Sequence, residues 1–144
     1  MVRAEVGQGR FRAFFEVGTV GGTLFWHFPG PDRRYNGGGA SIHTSEMDAF
    51  VSALDNAWAR YQGLSAMADG VTLQRHIQID KWVFGLATGG YTAGVVPFSN
   101  HDFSYAIALQ DEIDLYSLKT VVQDAQSLLP RLVAIAVAEY ALDT

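Results

Sequence analysis

The sequence predicts an α+β domain: a mainly antiparallel sheet of five to six strands with two or three helices packed on one face. Three observations predict it. Short stretches alternate apolar and polar residues and are joined by glycine-rich turns, which is the pattern of hairpins and meanders. Two longer stretches carry apolar residues at three- and four-residue spacing, which is the pattern of amphipathic helices. The 144 residues, 49% hydrophobic and 12% aromatic, suffice for one domain over 1–144 with a sizeable core.

Residues 10–17, RFRAFFEV, place Phe11, Ala13, Phe15 and Val17 on one face and Arg10, Arg12 and Glu16 on the other. This is a half-buried strand, with Phe14 as the exception on its polar face. Glycines bracket a turn over 18–22, and 23–28 forms a second strand with Leu24, Trp26 and Phe28 on one side, completing an antiparallel hairpin. Residues 29–41, PGPDRRYNGGGAS, have no period and read as a loop.

The best-punctuated stretch is 44–63, TSEMDAFVSALDNAWARYQG. Ser45 with Asp48 three residues on reads as a capping box, and Gly63 stands where a helix commonly ends. Between them Met47, Phe50, Val51, Leu54, Trp58 and Tyr61 share one helical face. Fully burying six such side chains contributes roughly 9 to 18 kcal/mol as an upper bound. Asp48, Ser52, Asp55, Asn56 and Arg60 make the solvated face.

After a connector over 64–70, residues 71–88 hold one or two strands, with a phase change at Asp80 and Lys81 that indicates a turn or a bulge. Residues 91–98 are a further strand, held to an edge or an end by Pro97. The alternation of Phe103, Tyr105, Ile107 and Leu109 with small or polar residues is the clearest strand signal in the chain. Asp111 and Asp114 open a second helix, striped by Leu115, Leu118, Val121, Val122, Ala125, Leu128 and Leu129. Pro130 should interrupt it, and the tail RLVAIAVAEYALDT is apolar on nearly every side.

Composition narrows the function classes. A net charge of −5 argues against a grip on the phosphate backbone, so nucleic acid is not an expected partner. The absence of cysteine removes disulfides and thiolate chemistry and fits a reducing compartment, with the cytoplasm the expected location. No uninterrupted apolar run approaches membrane-spanning length, so no membrane partner is expected. Glycines 37–39 precede a helix, but there is no P-loop lysine and no GxGxxG, and no motif calls for a cofactor or a metal. No G-x-S-x-G elbow is present either.

Three groups of candidate site residues remain. Arg33, Arg34 and Tyr35 in the glycine-rich loop can stack on a base or grip a carboxylate, and they are the candidate partner-binding residues. In HIQID, His76, Gln78 and Asp80 share a strand face, and His101 with Asp102 sits in a turn, so these are candidate ligand-binding residues. Leu132, Ile135, Val137 and Tyr140 in the apolar tail are buried at home or form an interface between copies of the chain. His43, just ahead of the central helix, is a conceivable neutral base beside the loop.

The central helix followed by strands, the stretch HDFSYAIALQDEIDLYSLKTVVQDAQSLL and the acidic balance together resemble small bacterial immunity proteins of the WapI-like kind. The resemblance covers roughly residues 40–129 and is one of organisation. It carries over no functional residue, and the glycine-rich loop and the tail after Pro130 depart from it. It implies a stoichiometric binder of a protein partner that performs no catalysis. The expected function is a non-enzymatic interaction module, an inhibitor or immunity-type binder, that can self-associate through its tail. Two alternatives stand beside it. One is a small-molecule-binding protein or minor enzyme with an aromatic-lined pocket and His27, His76 or His101. The other is a structural subunit of a larger phage or secretion assembly.

Overall fold

The computed structural model of the chain describes residues 1–7, 11–27, 39–68, 74–80, 82–87, 97–98, 104–105, 107–109 and 112–143. The first sheet is an antiparallel meander of four strands in sequence order: β1 (Val2–Val6), β2 (Ala13–Val17), β3 (Gly22–His27) and β4 (Gly39–His43). The expected hairpin is its β2–β3 pair, closed by a hydrogen bond from the Gly18 amide to the Gly21 carbonyl. β1 was not expected, although Val2, Ala4 and Val6 alternate with Arg3 and Glu5 as a strand requires. Of the loop expected over 29–41, residues 39–41 instead pair in β4, and 29–38 lie outside the described residues.

Helix α1 (Met47–Ala68) follows through a single 3-10 turn, Thr44–Glu46. Its cap differs from the expected Ser45–Asp48 box. His43 is the capping residue: its Nδ1 accepts from the Ser45 amide at 3.2 Å while its own amide donates to Glu46 Oε1 at 3.1 Å. The box is shifted because β4 runs directly into the helix, leaving His43 as the last extended residue. Gly63 does not end the helix, which continues five residues further to Ala68. A solvent-exposed glycine inside a helix costs only about 1 kcal/mol relative to alanine, too little to stop it.

The expected apolar stripe of α1 is buried. Met47, Phe50, Leu54, Trp58 and Tyr61 lie in the core and Val51 packs against it, while Asp48, Ser52, Asp55, Asn56 and Arg60 are exposed. Opposite them the sheet contributes Phe15, Leu24, Trp26 and Ile42.

Among the described residues the remaining strands do not extend the meander into one sheet of five to six strands. β5 (Gln74–Ile79) and β6 (Trp82–Ala87) form an antiparallel hairpin, and β9 (Ile107–Leu109) adds to β6 in parallel. β7 (Pro97–Phe98) pairs with β8 (Ser104–Tyr105) as a separate two-stranded ribbon. The stretch expected as one strand over 103–110 thus contributes to two sheets, since alternation signals extended backbone without naming its partner. Phe50 of α1 joins the layers: its ring lies 5.8 Å from Trp26 in the meander, and 5.4 and 5.8 Å from Trp82 and Phe84 in β6.

Helix α2 (Glu112–Asp143) is continuous through Pro130, contrary to the expected break. A proline here lacks the amide that would bond the Gln126 carbonyl, yet burial of Leu132 and Ala136 beyond it holds the helix on course. α2 covers β1 and β2 with Leu118, Val121, Val122 and Ala125. Among the described residues the fold is therefore α+β, with an antiparallel four-stranded sheet and two α-helices packed on its inner side.

Candidate protein interface

The meander has a dry face and a wet face. On the wet face two rows of residues run across the strands. One row is Glu5, Phe14, Phe25 and Ser41, and the next is Arg3, Glu16, Thr23 and His43. Phe14 and Phe25 are direct partners with ring centroids 5.8 Å apart, an aromatic pair on the side of the sheet away from both helices.

Basic side chains lie over this pair. The Arg3 guanidinium sits 4.2 Å from the Phe14 ring centre and 5.5 Å from that of Phe25, and Arg12 lies 5.9 Å from Phe14. Arg3 also reaches Glu16 at 3.8 Å, and Arg12 reaches Glu5 at 3.9 Å. These ion pairs are solvent-exposed and weak individually, so the arginines can move at little cost. The result is an aromatic centre rimmed by two positive and two negative groups. Such an arrangement suits recognition of another protein, with aromatic and arginine anchors inside a polar rim.

A second surface belongs to α2. α1 lies antiparallel beside it, since Lys119 Nζ donates to Asp55 Oδ1 at 3.0 Å and Gln126 Nε2 to Asp48 Oδ1 at 2.8 Å. Seven residues on one helix match seven on the other, and the same register brings the Thr44–Glu46 turn level with Pro130. The α2 residues after Pro130 therefore run past the start of α1. Leu132 is still buried at 7% exposure, but Ile135, Val137 and Tyr140 are open, and Leu142 is 86% exposed. Ile113 and Tyr116 are exposed at the other end of α2, beside a groove of about 660 Å³ that also involves Gly7, Thr120 and Asp124. By length and composition, the part of α2 from Leu115 to Asp143 is apolar enough to cross a membrane, although Leu118, Val121, Val122, Ala125, Leu132 and Ala136 within it are core residues.

The residues expected to carry function fall as follows. Arg33, Arg34 and Tyr35 lie outside the described residues, in the connection between β3 and β4, as do His101 and Asp102 between β7 and β8. His76 is on β5 opposite Gly85. Asp80 has left the strand: it is exposed, adopts a left-handed φ of 56° in the tight β5–β6 turn, and its carbonyl accepts from Gln78 Nε2 at 3.1 Å. Among the described residues no three His, Cys, Asp or Glu side chains group as metal ligands would. His43 is used as a helix cap.

Sequence reasoning passed over Arg3, Glu5 and Phe25. The signal for them was the period-two alternation of 2–6 and the outward phase of Phe25 in its strand. Compared with known proteins, the chain matches no family model, no curated protein and no solved structure.

Proposed function

We propose that this protein is a non-enzymatic interaction module, an inhibitor or immunity-type binder that occupies a protein partner with the wet face of its meander. The observation that carries the reading is the Phe14–Phe25 pair under Arg3: two aromatic rings stand on the side of the sheet that neither α1 nor α2 covers. Neither ring contributes to the core cluster, so burial in the core does not account for two aromatics at these positions. The balanced rim of Arg3, Arg12, Glu5 and Glu16 favours a partner of mixed charge over a polyanion. The segment with Arg33, Arg34 and Tyr35 connects β3 and β4, two strands of that face, and is the natural place for further contacts. The organisation-level resemblance to WapI-like immunity proteins points the same way.

The test is affinity capture from native cells with the wild type and with the double variant Phe14→Thr, Phe25→Thr. The wild type should recover a stoichiometric protein partner that the variant loses, with the thermal midpoint little changed. Equal recovery of the partner by both proteins would overturn the assignment of this face.

A further inference from the structure

The exposed side of α2 has a symmetry of its own. Ile113, Tyr116, Asp124, Arg131, Ala138 and Leu142 are all exposed and follow one another at spacings made up of steps of three and four residues, so they lie along a single stripe away from the core. The stripe has large apolar groups at both ends and one acid and one base near its middle. Asp124 and Arg131 are equally far from the point between Ser127 and Leu128, and so are Ile113 and Leu142.

From this arrangement we infer that the α2 stripe binds the α2 stripe of a second copy, antiparallel, about a two-fold axis passing between Ser127 and Leu128. Each Asp124 then faces Arg131 of the other copy, twice by symmetry, and each Ile113 faces Leu142. A parallel pair in register would instead set Asp124 against Asp124 and Arg131 against Arg131, so the charges select the antiparallel arrangement. The groove beside Gly7, Tyr116 and Thr120 gains an occupant in the same operation, because Ile135 of the second copy arrives opposite Thr120. Contact from Ile113 to Leu142 runs about 44 Å along the helices, at the shallow crossing of about 20° that long helix pairs adopt. End-to-end contact, rather than a single crossing point, is what lets two helices approach the roughly 1,200 Å² at which specific interfaces begin. This pairing uses a different side of the molecule from the wet face of the meander, and its failure would leave the proposed function untouched.

The experiment is sedimentation velocity over a concentration series on the wild type, Asp124→Arg, Arg131→Asp and the double charge swap, each checked for unchanged helix content by circular dichroism. Both substituted positions are exposed, so the fold should tolerate them. The wild type should form a dimer, each single reversal should weaken it by roughly tenfold or more, and the swap should restore it to within about threefold. A wild type that stays monomeric, a dimer indifferent to the single reversals, or a swap that fails to restore it would each overturn the pairing. Flotation of a monomeric wild type with phospholipid vesicles would overturn it in favour of a lipid surface as the occupant.

Discussion

The Trp26 indole Nε1 donates to the Phe11 carbonyl oxygen across 3.0 Å inside the core. This ties the residue leading into β2 to the far end of β3, fifteen positions away, and gives the one polar atom of a 1%-exposed side chain a partner. Trp26→Phe keeps a ring against Phe50 but removes the donor. It should lower the unfolding free energy by roughly 1–3 kcal/mol, measured by urea denaturation. An unchanged midpoint would mean that the bond contributes nothing net.

Phe50 touches aromatic rings in both the meander and the β5–β6 hairpin. Phe50→Ala should cost about 3–5 kcal/mol. Because two of its neighbours are Trp26 and Trp82, the loss should also appear as altered tryptophan fluorescence in the folded protein. Truncation at Phe50 with no spectral change would contradict the packing described.

Gly7 has a left-handed φ of 82°, and a Cβ built on it would collide with Val121 Cγ2 of α2. Gly7→Ala should therefore cost more than about 2 kcal/mol, from backbone strain and overpacking together. Adding Val121→Ala removes the obstacle, so the double variant should be more stable than the sum of the single losses implies. Simple additivity in that cycle would show that only the backbone matters at position 7.

Pro130 leaves the Gln126 carbonyl without its helical donor in an exposed turn of α2. An interior proline costs a helix about 3 kcal/mol, offset by roughly 0.4–1 kcal/mol through the stiffer unfolded chain. Pro130→Ala should therefore raise the thermal midpoint. A fall in the midpoint would show that the proline ring itself packs usefully.

The local parts of this fold were legible in the sequence, and the long-range parts were not. The stripe from Met47 to Tyr61 announced both the helix and its buried face, because helical spacing is set within a few residues. Alternation over 10–17 and 23–28 announced the hairpin for the same reason. The capping role of His43 was hidden because it depends on where β4 stops, and β4 exists only through its pairing with β3. The division of 103–110 between two sheets was hidden likewise. Of the candidate surfaces, the exposed tail was visible as excess hydrophobicity after Pro130. The outward phase of Arg3, Phe14 and Phe25 was in the alternation, but their meeting was not, since it depends on the register of three strands.

The place of α2 in the chain has a consequence for biosynthesis. β1 and β2 emerge from the ribosome well before α2, but their inner side is covered by Leu118, Val121, Val122 and Ala125, which are translated about a hundred residues later. Until then the nascent meander presents Ala13, Phe15 and Val17 to solvent or to a chaperone. Truncation before Glu112 would trap the chain in that sticky state, so degradation or aggregation of such fragments is the expected fate of incomplete translation products.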